Sequence, residues 1–145
     1  MSRIPDRTTD LFIATIDLMH SLDPVEKPPG AENLSPGSIL VVEYLSEHRG
    51  CRIQNIADDL KLSKPTVSIT ISKLENDGFC RREGDARDGR AFNIYLTTAG
   101  STLAAGLRAF RRTKAHRLFG SLTEDEHTQM QALFARILNT KENAE

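Results

Sequence analysis

The stretch Leu62-Ser63-Lys64-Pro65-Thr66-Val67-Ser68-Ile69-Thr70-Ile71-Ser72-Lys73-Leu74 decides how the rest of the chain is read. Ser63 stands where a helix N-cap belongs. Lys64 and Pro65 follow in the first turn, where proline's missing N–H costs little. A helix is therefore expected to begin at Ser63. At helical spacing Val67, Ile71 and Leu74 fall on one stripe, with Thr70 at its edge. The remaining surface, made of Lys64, Pro65, Thr66, Ser68, Ile69, Ser72 and Lys73, is short, polar and weakly cationic. Side chains of that size can approach a groove closely and offer hydroxyls to phosphates or base edges. The same composition also describes an ordinary solvated helix, so the flanking sequence has to choose.

Upstream, Ile53, Ile56, Ala57 and Leu60 form the stripe of a short helix, and only Lys61 and Leu62 separate it from the Ser63 cap. Two short helices joined this tightly, the second presenting polar side chains, have the layout of a helix-turn-helix. Downstream, Gly78 closes the Ser63 helix, and Phe79-Cys80-Arg81-Arg82-Glu83 reads as a strand. The charged tip Gly84-Asp85-Ala86-Arg87-Asp88-Gly89-Arg90 contains Asp-Gly, a strong hairpin signal. The returning segment 91–96 places Phe92, Ile94 and Leu96 on one face by period two. A two-stranded wing thus follows the helix-turn-helix, and that face is expected to pack on neighbouring helices, because an isolated hairpin is marginal.

The outer segments read as helices. Thr8, Thr9 or Asp10 can cap a first helix running through Leu22. Its apolar residues Leu11, Phe12, Ile13, Ala14, Ile16, Leu18, Met19 and Leu22 cannot share one stripe. Asp23-Pro24 stops it, and Lys27-Pro28-Pro29-Gly30 marks a loop. Ser35-Pro36 restarts a helix whose buried side is assigned to Ile39, Leu40, Val42, Tyr44 and Leu45, ending near Gly50. Thr97 can cap a long helix to about residue 119, with Leu103, Leu107, Phe110 and Leu118 apolar. Thr123-Glu124-Asp125-Glu126 has the spacing of a capping box ahead of Met130, Leu133, Phe134, Ile137 and Leu138. These outer helices form an elongated part that favours dimerisation; a compact bundle is the alternative.

Composition narrows the function. A chain of 145 residues can bury a real core without disulfides or metal. Its formal charge of −1 lacks the excess of a non-specific nucleic-acid coat. Charge is uneven, however: Arg108, Arg111, Arg112, Lys114 and Arg117 occur with no acid between residues 98 and 120. That run reads as solvation of a long helix in preference to phosphate binding. Cys51 and Cys80, without a CxxC pair or a secretory signal, indicate a reducing compartment, and a cytoplasmic protein is expected. Asp17 interrupts the apolar run from Leu11 to Met19, which suits no membrane span. His20, His48, His116 and His127 lack ligand spacing, and neither a phosphate-binding glycine loop nor a nucleophile motif is present, so no enzyme, metal or cofactor is expected.

The order of elements resembles the multiple-antibiotic-resistance regulator (MarR) family of winged-helix regulators, and specific residues carry the likeness. These are Leu34-Ser35-Pro36, Ile56-Ala57 with Leu60-x-Leu62-Ser63, Thr66-Val67-Ser68, Leu74-Glu75 with Gly78, Asp88-Gly89-Arg90, and Leu96-Thr97-Thr98-Ala99-Gly100, over about Thr8 to Leu138. The resemblance implies a mainly α fold with a small β-hairpin. Residues 1–34 and 98–145 would serve dimerisation, and residues 35–97 would form the DNA-binding winged helix-turn-helix. It further implies a homodimeric repressor on a pseudo-palindromic double-stranded operator, released by a small aromatic effector. The half-sites would lie roughly one helical turn, about 10 bp, apart.

On that frame Ser63, Lys64, Pro65, Thr66, Ser68, Ile69 and Lys73 are the helix residues assigned to DNA, with Lys64 and Lys73 on phosphate. Arg90, at the family's Asp-x-Arg position, is assigned to a narrow minor groove. Arg87 and Arg81 are phosphate candidates, and Asp88 is expected to brace an arginine. Many relatives carry a basic residue at the Ile69 position, an aliphatic one at Thr70 and an arginine at Gly89. Ile69 could meet thymine methyls or turn inward and change the helix's rotation. The competing functions are a thiol switch at Cys51 or Cys80 and a winged-helix protein-interaction module.

Overall fold

The structure is a computed structural model and describes residues 6–21 and 26–142. Its elements follow in the order α1 (Arg7–Ser21), α2 (Pro36–Glu47), α3 (Ile53–Leu60), α4 (Lys64–Asn76), β1 (Cys80–Gly84), β2 (Phe92–Leu96), α5 (Thr98–Phe119) and α6 (Glu124–Glu142). The described residues divide into two compact units that part between Ala109 and Phe110, within α5. No described helix is long and apolar enough to cross a membrane.

Caps set most of these boundaries. Ser35 Oγ accepts from the Ser38 N–H at 3.1 Å, and Ser63 Oγ accepts from the Thr66 N–H at 3.2 Å. Each satisfies one of the orphan donors of a helix start. Thr97 does the same for Gly100 at 3.1 Å, and Thr123 and Glu126 bond reciprocally, completing the capping box. At α1 the cap lies earlier than expected. Asp6, in place of Thr8, Thr9 or Asp10, accepts from the Thr8 N–H at 3.1 Å and from the Thr9 hydroxyl. Leu22, the expected last residue of α1, lies outside the described residues.

The first unit closes around α2, α3, α4 and the hairpin. Val41, Val42, Ile56, Val67, Ile71, Leu74 and Ile94 are fully buried, each stabilising the fold by about 1.5–3 kcal/mol. In α2 the inward stripe is Ser38, Val41, Val42 and Leu45, with Tyr44 beside it, whereas Leu40 is 43% exposed. Leu40 is apolar and expected in the core, but i, i+3, i+4, i+7 spacing from Ser38 leaves it on the outer side. Ser38 is tolerated inside because its hydroxyl pairs with Ser35 Oγ at 2.9 Å.

The hairpin is antiparallel, with Cys80 opposite Leu96 and Gly84 opposite Phe92. Its root is packed: Cys80 and Ile94 are buried, and a further bridge joins Cys51 to Ile94. Its outer end is not, for Phe92 is 54% exposed and does not share the burial expected for its face. A strand pair can be inside at one end and leave the body at the other, which period two alone does not reveal. Gly100 anchors the far side. A Cβ there would stand 1.9 Å from the Phe79 carbonyl oxygen, and Thr97 donates its N–H to that oxygen at 3.0 Å. Glycine at this position lets α5 start directly against the strand.

The terminal helices behave differently. Helix α1 has no buried residue, and Leu11, Phe12 and Met19 are each about two-thirds exposed. Along α6, Leu133, Phe134, Ile137 and Leu138 are all exposed.

Candidate nucleic-acid interface

Helix α4 is held by its apolar stripe, so its other side is the side it offers. Val67, Ile71 and Leu74 are buried, whereas Lys64, Pro65, Thr66, Ile69, Ser72 and Lys73 are exposed and Ser68 and Thr70 are half-buried. Ile69 is 72% exposed, so of the two possibilities for this residue the inward rotation does not occur. Two hydroxyls are partly committed within the helix. Ser63 Oγ lies 2.7 Å from Thr66 Oγ1, and Thr70 Oγ1 donates to the Thr66 carbonyl at 2.9 Å. The turn before α4 depends on Lys61, which adopts a left-handed conformation with φ +53° and donates its N–H to the Asp58 carbonyl. Nothing in a lysine signals this, since the left-handed region favours glycine and asparagine.

The wing tip is built from two aspartates. Asp85 Oδ1 accepts from the Arg87 N–H at 2.9 Å, and Asp88 Oδ1 accepts from the Arg90 N–H at 3.2 Å. The Asp85 N–H donates to the Ala91 carbonyl and the Ala91 N–H donates to the Asp88 carbonyl, closing the loop. Arg52, from the start of α3, donates to Asp85 Oδ2 at 2.6 Å and lies 3.9 Å from Asp88. The hydrogen bond from Arg52, followed by that from the Arg87 N–H, holds the Asp85 carboxyl below its ordinary range. Arg87 and Arg90 themselves are exposed, and among the described residues neither guanidinium makes an ion pair, nor do the ammonium groups of Lys64 and Lys73.

The two arginines of β1 separate, as strand alternation requires. Arg82 turns to α4, where it donates to Ser72 Oγ at 2.9 Å and approaches Glu75 at 3.4 Å, its Nε lacking a good hydrogen-bond partner. Arg81, the phosphate candidate, instead pairs with Glu83 at 2.6 Å and lies 5.0 Å over the Tyr95 ring. It lines a cavity of about 330 Å³ together with Arg49, Arg108, Ser46, Ser101 and Tyr95. That grouping of α2, hairpin and α5 residues escapes sequence reasoning, because its arginines are far apart in the chain.

The thiols are poorly placed for reactivity. Burial pushes Cys80 up to about 11, and its Sγ–H points to the Ile71 carbonyl at 3.6 Å. Burial also raises the half-buried Cys51. The thiolate, the nucleophilic form, is therefore scarce near neutral pH at both. Among the described residues no group of His, Cys, Asp and Glu has the arrangement of a metal site.

Residues 34–92, the span from the start of α2 to the wing, match the MarR family. YkoM of Bacillus subtilis, an HTH-type transcriptional regulator, is 29% identical over 102 residues, covering 70% of this chain and 66% of YkoM, just under two thirds of that relative. MdtR of the same organism, an HTH-type transcriptional repressor, is 23% identical over 79% of this chain and 74% of its own. Among solved structures, the MepR–DNA complex of Staphylococcus aureus is 25% identical, with a TM-score of 0.70 over 92% of this chain and 97% of that chain. Residues 34–92, which build the winged helix with the capped α4 turned outward and the hairpin beside it, are thus a segment of the MarR type, similar to the one found in transcriptional regulators such as YkoM and MdtR.

Proposed function

We propose that the protein is a homodimeric repressor that reads a pseudo-palindromic operator in the cytoplasm and is released by a small-molecule effector. Residues 35–97 do the DNA binding, and residues 1–34 and 98–145 do the pairing. The observation that carries the reading is the outer side of α4: hydroxyls, two lysines and the exposed Ile69, next to a wing whose Arg87 and Arg90 have no ion-pair partner among the described residues. Lys64 and Lys73 neutralise phosphates. Ser63, Pro65, Thr66 and Ser68 lie against the groove, and Ile69 packs on thymine methyls where a basic residue would have met phosphate. Arg90 enters the minor groove.

Pairing is supported by α1 and α6, whose apolar residues are too exposed for a stable monomer in water. A repressor role is in keeping with MdtR, and DNA as partner with MepR. The cavity beside Arg49, Arg81 and Arg108, with Tyr95 on its wall, suits an anionic aromatic effector. A thiol switch is the weaker reading, since burial raises both thiols.

The test is selection of random double-stranded DNA fragments by the purified protein, followed by binding of the selected site at several salt concentrations. A two-fold symmetric consensus is expected. Arg90→Ala should weaken binding roughly tenfold and lower the salt slope by about one. Recovery of no consensus, or an Arg90→Ala protein with unchanged affinity and slope, would overturn the reading.

A further inference from the structure

Arg52 stands at the N-cap of α3, a position where Ser, Thr, Asp or Asn would bond the first turn. A guanidinium has no acceptor, so Arg52 cannot do this. The first turn is helped only in reverse, by Asn55 accepting from the Arg52 N–H at 3.0 Å. The side chain instead reaches across 33 residues of sequence to the wing. There it meets Asp85 at 2.6 Å and Asp88 at 3.9 Å. Those are the two carboxylates that hold the N–H groups of Arg87 and Arg90. One guanidinium thus touches both acids on which the tip's shape depends, and it partly cancels charges that would otherwise face phosphate.

We propose that Arg52 is a positioning residue for DNA binding: it locks the wing tip to the helix-turn-helix and screens Asp85 and Asp88, so that Arg87 and Arg90 are presented in one orientation. This rests on the reading that the wing meets DNA. A helix cap is given up at α3 in exchange for a rigid connection between the two elements that must reach the duplex together. Asp85 takes the larger share, since its side chain is only 15% exposed against 50% for Asp88. The opposing possibility is that Arg52 grips a phosphate itself.

The experiment has a DNA-free arm and a binding arm on the full chain. In the free protein, Arg52→Ser should speed amide exchange at Ala91 and Arg90 while leaving the thermal midpoint unchanged or higher, because serine restores the cap. On the selected operator, Arg52→Ser and Asp85→Asn should each weaken binding about fivefold, and the double variant should be no weaker than either alone. Unchanged exchange in Arg52→Ser would overturn the brace. So would tighter binding by Asp85→Asn, the result expected if Arg52 were freed to hold phosphate. Arg90→Ala is the parallel control. If it binds normally, the wing reading fails alone, and the exchange arm still decides whether Arg52 holds the tip.

Discussion

The winged helix and the terminal helices carry similar apolar residues to opposite ends. In the winged helix, Val41, Ile56, Val67, Ile71, Leu74 and Ile94 interdigitate until none is exposed. In α1 and α6, Leu11, Phe12, Met19, Phe134, Ile137 and Leu138 remain largely in water. The difference is one of closure. Three short helices and a hairpin surround a core from several directions, whereas a single helix can bury a stripe only against something else. The first region is a finished unit; the second leaves its apolar side chains uncovered.

The largest expected effect comes from breaking the finished unit where it is tightest. Gly100→Ala would drive a methyl group into the Phe79 carbonyl, 1.9 Å from the new carbon. It should cost about 3 kcal/mol in chemical denaturation. Gly84→Ala, with nothing within 4 Å, should change stability by no more than about 0.5 kcal/mol. Equal effects would mean that the start of α5 is not the close approach described.

The unfinished region is challenged by charge. Phe134→Glu with Leu138→Glu should leave the circular dichroism of the winged helix intact. It should shift sedimentation from dimer to monomer and weaken operator binding at least tenfold, since two half-sites would no longer be linked. A double variant that stays dimeric would move the interface away from α6.

A smaller effect tests the polar link between α2 and α3. Tyr44 donates to Asp59 at 2.6 Å, and that bond, more than burial, pushes its phenol up to about 12. Tyr44→Phe should cost about 1–2 kcal/mol at neutral pH. A phenol whose folded pKa exceeds its ordinary value of about 10 contributes its full stability below that value and loses it as pH rises through about 12. The gap between wild type and variant should therefore shrink across that alkaline window. A gap independent of pH there would mean that the hydrogen bond does not form.

Much of the winged helix is legible without coordinates because its signals are local. Ser35, Ser63, Thr97 and Thr123 each announce a helix start within four residues, and hydroxyl caps act over that distance. The stripe Val67, Ile71, Leu74 likewise follows from the helical repeat alone. The misses share a different cause. Leu40 is apolar but outside, and Phe92 keeps the strand's period but leaves the body. Periodicity names a face and says nothing of how far the neighbours extend along it. The cap of α1 falls to Asp6 because several adjacent residues were chemically eligible.

At the candidate interface the residue types on α4 and at the wing tip could be named from spacing, and so could the question of whether Ile69 faces out. Its answer needed the core, because the rotation of α4 is set by what Val67, Ile71 and Leu74 find to pack against. The same holds for the arginines. Sequence order supplies a basic strand, but the pleat sends Arg82 to Ser72 and Arg81 to Tyr95, and only folding brings Arg52 to Asp85. Helix starts, helix faces and the hairpin are thus written in the chain over a few residues, where backbone hydrogen bonding and side-chain period act. Which charges meet, which apolar side chains stay wet and which cavity the arginines share are settled by contacts between residues distant in sequence, and no local pattern encodes those.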